Sequence, residues 1–390
     1  MFPRLLYVGD VPVESSYHGS ALLHRLLSDY PPEKLTILET AAPSQPERRL
    51  PNVNYLSYPI GNQRWLNTRF HPYAVAWYSQ KGVRLGPRVS GSLNGFALQG
   101  VLTVAHGFGW LTAANVAEQR NVPLHLMVHD DWPRVADVVP SFRKRLDDEF
   151  ARIYRQAQSR LCVSQSMSDH YQDRYGKPAQ VIYPIRAADC QEFDGPPAQL
   201  AQNDTPFTIA FAGTINSTGY IQALRAIQDA LRSVGGRLLI FGPLTTQAAR
   251  EVGLAGPDTT VCGLLTWSRL IERLRAEANA LFVPMSFAAA DRSNMEMAFP
   301  SKLADYTATG LPLLIYGPNY CSAIAWAREN PGVAEVVEAE EDLPTAVKRL
   351  ANDPAWRVAL GQRAVQVGRQ YFSYDRVQQV FHQALSLMSV

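Results

Sequence analysis

No stretch of about 18 uninterrupted apolar residues occurs in this chain, so no transmembrane helix is expected. The opening MFPRLLYVGD holds too short an apolar run for a signal peptide and reads as a first strand. Cysteine is sparse. Cys162, Cys190, Cys262 and Cys321 lie far apart without C-x-x-C spacing, so neither a zinc site nor a disulfide framework is expected. A reducing compartment, the cytoplasm, is expected instead. Charge imbalance is missing too. The 37 Lys and Arg against 35 Asp and Glu leave a formal net charge of +2, with no global pull toward nucleic acid or membrane. What the chain does have is apolar residues, 46% against 18% charged, and 390 residues in which to bury them. That length favours two domains over one.

Strand and helix patterns alternate from the start. Apolar runs at 4–8, 35–38, 53–58, 101–105, 123–128, 159–163 and 180–183 read as strands. The His18-Gly19-Ser20 loop opens a helix, and further helices are expected over 111–117 and 165–175. A linker follows at 187–206, with Pro196-Pro197 and Gln202-Asn203-Asp204. The alternation then restarts. Strands are expected at 207–211, 237–241, 259–262, 280–283, 313–315 and 333–336, and helices at 220–233, 267–276, 343–351 and 356–368. The implied fold class is α/β, with two Rossmann-like, doubly wound parallel-sheet domains facing a cleft. They are expected to span 1–186 and 207–372, with a C-terminal helix over 373–390 in a position to return to the N-terminal domain.

In such sheets ligands bind beyond the carboxyl ends of the strands. His18, His106 and His129 all follow expected strand ends or lie in the next loop. Each fits a structural hydrogen bond by itself; three at one rim fit a polar cleft. His106 with Gly107, Phe108 and Gly109 makes a rim where an acceptor can approach. Asp130 and Asp131 offer a general base, or a helix-start or turn role.

The most informative stretch is FPSKLADYTATGLPLLIYGP, from Phe299 to Pro318. Pro300 suits a helix's first turn, Gly310 suits its end, and Pro312 blocks continuation. Leu313, Leu314 and Ile315 then read as a buried parallel strand. The first N–H groups of that helix lack partners and favour an anion. Ser301 adds a hydroxyl, Lys302 a full charge, and Asp305 follows on a neighbouring face position. A pyrophosphate at Ser301 and Lys302 with a ribose diol at Asp305 fits this spacing. A capped surface helix with a solvated Lys/Asp pair fits it as well.

Between Arg48 and Gly100 the alternation weakens. Arg48, Arg49, Arg64, Arg69, Lys81, Arg84 and Arg88 face only Glu47 there, and Trp65, Phe70, Tyr73, Trp77 and Tyr78 are interleaved with them. This segment is either a basic aromatic surface for a phosphate-bearing acceptor or an anionic membrane face, or an ordinary helical insert with a solvated basic side and an aromatic buried side. The basic helix expected over 141–158 carries Asp147, Asp148 and Glu149 as offsets and reads as a solvated face.

Several segments, in order, resemble GT-B glycosyltransferases of the retaining type, similar to family 4. FPSKLADYTATGLP resembles that group's donor-binding helix, and CVSQSMSDHYQDRYGKPAQVIYPI the end of its acceptor domain. PLHLMVHDDW resembles the strand that delivers a histidine into the cleft, and IAFAGTINSTG the entry to the second domain. The resemblance implies that Ser301 and Lys302 hold the donor's diphosphate and Asp305 its ribose. It places Gly213-Thr214 and Gly19 against the donor, Gly263 near the base, and His129 at the transferred sugar. It also implies same-face attack, with the leaving phosphate helping to deprotonate the acceptor, and neither a metal nor a separate cofactor. Two positions depart from the pattern. Met297 stands where the group has its first glutamate, with Glu296 adjacent, and the loop 215–219 lacks the usual Arg/Lys pair, for which Arg292 or Arg186 would have to compensate.

The function expected is transfer of a sugar from a nucleotide-sugar to a glycan or lipid-linked acceptor, in cell-surface polysaccharide or glycoconjugate synthesis. The catalytic candidates are His129, Glu296 and Asp130, with His18 and His106 toward the acceptor. Peripheral membrane contact through 64–88, at the inner membrane face, is the further partner expected. The alternatives are a nucleotide-sugar epimerase of the same fold and a non-catalytic nucleotide-sugar binder. The epimerase would need cleft histidines in both domains, and the second domain has none before His382.

Overall fold

The computed structural model describes residues 2–15, 18–61, 63–93, 95–132, 136–202, 206–215 and 217–386, the side chains of His18 and Gln63 excepted. The chain divides into two compact units, Met1–Ile185 with Val377–Val390, and Arg186–Arg376. Among the described residues no helix is long and apolar enough to cross a membrane.

The first unit is built on a seven-stranded parallel sheet. Its strands are β1 (Leu5–Gly9), β2 (Leu35–Glu39), β3 (Asn54–Ser57), β4 (Gly100–Val104), β5 (Leu124–Val128), β6 (Ser159–Cys162) and β7 (Gln180–Val181), in the order β3-β2-β1-β4-β5-β6-β7. Every residue of β1, β2, β4 and β5 is buried, the signature of strands covered on both faces. The order reverses between β1 and β4, which opens a crevice at their carboxyl ends.

The second unit repeats the plan with six parallel strands. These are β8 (Thr208–Ala212), β9 (Arg237–Phe241), β10 (Thr259–Gly263), β11 (Ala280–Pro284), β12 (Leu313–Tyr316) and β13 (Glu335–Val337), in the order β10-β9-β8-β11-β12-β13. Its switch point lies between β8 and β11. The core joins Ile209, Phe211 and Phe282 of the sheet to Leu224, Ile227, Val347 and Leu360 of the covering helices. All thirteen strands fall within two residues of their sequence-based places. Periodicity locates the central ones because a doubly covered strand is a short unbroken apolar run.

Within 48–100 the expected helical insert is the helix His71–Ser92, whose bounds the weak periodicity had not fixed; of the aromatics expected on its buried side Tyr78 is buried, while Tyr73 and Trp77 are exposed. Its buried face carries small residues, Gly82 and Gly86 among them. A Cβ on Gly82 would lie 2.9 Å from the Phe108 carbonyl oxygen, and the Thr112 hydroxyl donates to the Gly82 carbonyl at 2.7 Å. Close approach, not apolar bulk, therefore joins this helix to the helix Gly109–Arg120. The expected linker, where described, counts with the second unit. It holds a short 3₁₀ turn, Ala198–Ala201, with Leu200 fully buried and its carbonyl accepting from the Arg357 guanidinium at 3.3 Å. The helix Tyr374–Leu385 packs back on the first unit, where the Gln378 amide donates to the carbonyls of Arg25 and Leu26 at 3.1 Å.

Gly82→Leu should wedge the two helices apart. The expected loss is about 2 kcal/mol of unfolding free energy, read from denaturant midpoints; an unchanged midpoint would remove the close-packing account.

Candidate functional site

In the first unit the crevice is lined by turns that follow β1, β4 and β5. Asp10, just beyond β1, is the fixed point. Its carboxylate accepts from the Thr40 hydroxyl at 2.9 Å, the Gly109 N–H at 2.7 Å and the Phe108 N–H. It thereby satisfies the first N–H groups of the helix Gly109–Arg120. Burial pushes the Asp10 carboxyl above its usual range, and these hydrogen bonds pull it back. Gly107 sits at φ +60°, and a Cβ there would strike the Asp10 carboxylate. The glycines of the His106–Gly109 rim are therefore conformational requirements, and His106 at its tip is exposed.

His129 follows β5 and is partly buried. Burial pushes its imidazole down to about 4; Asp130 opposes the shift, and His106 adds to it. His129 is therefore neutral at physiological pH, and its Nε2 has no hydrogen-bond partner among the described residues. Gly19, in the helix His18–Leu27, approaches it closely: a Cβ there would lie 3.7 Å from His129 Nδ1. Gly19, His129, Asp130 and His106 thus share one rim, while the side chain of His18 lies outside the described residues. Asp131 takes a structural part. It is buried and accepts from the Tyr171 hydroxyl at 2.9 Å, so Asp130 is the open member of the pair.

In the second unit the site forms where β8 ends. Lys302 opens the helix Lys302–Tyr306, and its Nζ lies 4.4 Å from the centre of the Phe211 ring and 5.6 Å from that of Tyr220. It makes no ion pair among the described residues. Burial lowers its ammonium to about 8. Gly213 permits the approach: it sits at φ +152°, and a Cβ would be 3.5 Å from Lys302 Nζ. The Gly213 N–H is engaged, donating to the Phe241 carbonyl at 2.9 Å. It leaves the space beside Lys302 open and offers no free donor.

Tyr306 holds this arrangement together. Its hydroxyl accepts from the Ala212 N–H at 2.6 Å and donates to the Ala212 carbonyl at 3.1 Å, fixing the end of β8 against the helix that carries Lys302. From the far side Arg186 donates to the Ala304 carbonyl and the Thr307 hydroxyl, both at 2.9 Å, and pairs with Glu192 at 2.7 Å. Arg186 is thus a buried brace and does not stand in for the missing basic pair. Arg292 is exposed, with its guanidinium 4.5 Å from the centre of the Tyr320 ring. Ser301 is exposed at the helix start, and Asp305 and Thr214 are partly buried. Gly263 ends β10 at φ +74° with open space where a Cβ would stand.

The glutamate question has a clear geometry. In the helix Arg292–Met297, Met297 is buried and Glu296 is exposed, so Glu296 is the carboxylate on the open side. Sequence reasoning missed Phe211, Tyr220 and Tyr306 as site-building residues, and also Asp291, which accepts from the Ser217 hydroxyl at 3.0 Å. The four-residue spacing of Lys302 and Tyr306 was a usable signal, since it stacks them on one helical face. Among the described residues no group of three or more His, Cys, Asp and Glu could hold a metal ion.

Two pH dependences follow. His125 and His129 sit at about 4 when folded, below the ordinary 6.5, so between these values the unfolded chain binds more protons. Stability is full above about pH 6.5 and should fall by about 1–2 kcal/mol per imidazole as pH drops toward 4. His129→Asn should flatten that fall in a series of thermal melts. Lys302 acts in the alkaline range. Its folded value of about 8 lies below the usual 10.5, so stability should rise as pH passes from 8 toward 10.5. Lys302→Met should remove that rise and add about 1 kcal/mol at pH 7, because a charge buried without a partner is gone; equal melts for parent and variant would contradict the buried-charge account.

Residues 34–185 match the family model described as Glycosyltransferase Family 4. No curated protein sequence matches the chain. Among solved structures, Anabaena HepE in complex with UDP aligns at TM-score 0.69 and 12% identity, covering 98% of this chain and 99% of that one. Sucrose-phosphate synthase from Thermosynechococcus elongatus aligns at 0.66 and 14%, covering 98% of each chain. WaaG, a glycosyltransferase involved in lipopolysaccharide biosynthesis, aligns at 0.61 and 13%, covering 97% of this chain and 98% of that one. Identities this low carry the fold alone; the family match is a similarity of residues 34–185. By that shared architecture the chain has the GT-B fold, and within it residues 34–185 are similar to the glycosyltransferase family 4 model.

Proposed function

We propose that this chain moves a sugar from a nucleotide-sugar donor to a glycan or lipid-linked acceptor, with retention and without a metal, in cell-surface polysaccharide or glycoconjugate synthesis. The observation that carries the donor site is Lys302, a half-buried ammonium with no carboxylate partner, held over Phe211 and beside a glycine turn at the sheet's switch point. An unpaired charge in such a place is costly unless a ligand brings the opposite charge. A diphosphate does so, and HepE, which shares the fold, is a structure with UDP.

In this reading Ser301 and Lys302 hold the diphosphate, Asp305 the ribose hydroxyls, and Gly263 lies near the base. Gly213-Thr214 and Gly19 lie close against the donor. His129 offers a neutral Nε2 to the transferred sugar, and Glu296 supplies the open carboxylate. Asp130 keeps its place as an alternative base, with His106 and His18 toward the acceptor. The chemistry asked of the protein is electrostatic: stabilise the departing diphosphate and hold two substrates in line. The resemblance to retaining enzymes supports same-face transfer, in which the departing phosphate oxygen takes the acceptor's proton. WaaG's role in lipopolysaccharide biosynthesis supports a surface-glycan pathway.

The test begins with thermal stability against UDP, GDP, ADP, CMP and TDP. A nucleotide at about 100 times its Kd should stabilise the parent by roughly 2.7 kcal/mol. Lys302→Met and Asp305→Ala should lose most of that shift. With the matching nucleotide-sugar, His129→Ala should lower kcat on the order of a hundredfold while keeping the nucleotide shift. The product's anomeric configuration, measured with chelator present, then reads retention and metal independence together. No shift with any nucleotide would overturn the donor site.

A further inference from the structure

We infer that the first domain docks on the surface of an anionic lipid bilayer through one face of the helix His71–Ser92 and the turn that precedes it. The inference stands on residues remote from the donor site and does not depend on the donor reading.

Four large aromatic side chains are exposed within this short stretch. Trp65 is 52% accessible, Phe70 44%, Tyr73 67% and Trp77 57%. A folded protein rarely leaves such a cluster in water without a use for it. The helix then continues the same face with cations. Tyr73, Trp77, Lys81, Arg84 and Arg88 are spaced by four, four, three and four residues, which aligns them along one side. Val75, Tyr78, Gly82, Gly86 and Val89 are buried on the other.

Charge points the same way. No Asp or Glu occurs between Glu47 and Glu118. Among the described residues Arg69, Lys81, Arg84 and Arg88 make no ion pair. Three of them lie over rings instead: Arg69 at 5.0 Å from the Phe70 centroid, Lys81 at 4.1 Å from Trp77 and Arg88 at 5.1 Å from Tyr58. Aromatic rings with a polar edge settle at headgroup depth, and cations beside them meet anionic headgroups. A soluble polyanion would use the cations and leave the aromatics wet. A headgroup layer accommodates both. The helix would lie on such a surface, since none in the described chain is long and apolar enough to cross it.

The experiment is co-sedimentation of the full chain with vesicles of equal parts phosphatidylglycerol and phosphatidylcholine, against phosphatidylcholine alone. The parent should bind the anionic vesicles at least about tenfold better, and high salt should weaken binding. Tyr73→Ser with Trp77→Ser, and separately Lys81→Glu with Arg84→Glu, should each lose it while melting like the parent. As a check independent of those variants, vesicles of brominated lipid should quench the parent's tryptophan fluorescence. Trp65→Phe with Trp77→Phe should still bind but lose that quenching. Failure of the parent to bind anionic vesicles overturns the inference. So does an aromatic variant that binds as well as the parent, which would mark a plain polyanion site. Lipid-free self-association abolished by the same variants would assign the face to a second copy and overturn it equally.

Discussion

The Tyr306 hydroxyl closes on both backbone polar groups of one residue, accepting from the Ala212 N–H and donating to the Ala212 carbonyl. That single side chain decides where β8 stops and where the helix Lys302–Tyr306 begins to matter. One turn earlier on the same helix face, Lys302 is set over Phe211, the residue immediately before Ala212. The strand end, the glycine turn and the ammonium are therefore one unit. A buried backbone N–H left unmatched costs about 1–3 kcal/mol, so the constraint is energetic as well as geometric. Arg186 applies the same logic from the back, tying Ala304 and Thr307 so that this five-residue helix cannot drift.

The result is a positive charge stored in a poor place for it. Phe211 and Tyr220 offer ring faces and no carboxylate, and burial pulls the ammonium down to about 8. Such an arrangement lowers stability and raises the value of an incoming anion, the usual exchange at a binding site. The first unit shows the opposite economy. Asp10 is buried, but every direction it faces holds a donor, from Thr40, Phe108 and Gly109. Its charge is used up in shaping the His106–Gly109 rim. Behind that rim Phe108, Trp132, Trp110 and Phe150 form a chain of edge-to-face contacts, with successive centroids 6.4, 5.1 and 5.5 Å apart. Beside that rim the buried His129 Nε2 has no hydrogen-bond partner among the described residues.

Three parts of the molecule thus follow different rules. The sheets follow apolar burial. The crevice turns follow glycine geometry and hydrogen-bond matching. The face of His71–Ser92 leaves aromatic surface and unpaired cations outward, a combination that burial alone would not select.

By itself the sequence determined the architecture. The central strands were legible because a strand covered on both faces must be apolar at nearly every position, and the edge strands β3, β7 and β10 by their place in the strand–helix alternation. It also singled out Ser301, Lys302 and Asp305, because proline, glycine and charge mark a helix's two ends. The helix His71–Ser92 was harder to read: its contact face is built from Gly82 and Gly86, and small residues contribute almost nothing to an apolar period. Only the tertiary structure decided which charged groups are free. Arg186 and Lys302 look alike in a sequence; one is consumed by Glu192, the Ala304 carbonyl and the Thr307 hydroxyl, the other has rings for neighbours. Asp130 and Asp131 are adjacent, yet only Asp131 is buried against Tyr171. Glu296 and Met297 differ by one position, and the turn of a six-residue helix sends one outward and the other into the core. Partners and exposure are set by residues distant in the chain, so local pattern cannot carry them.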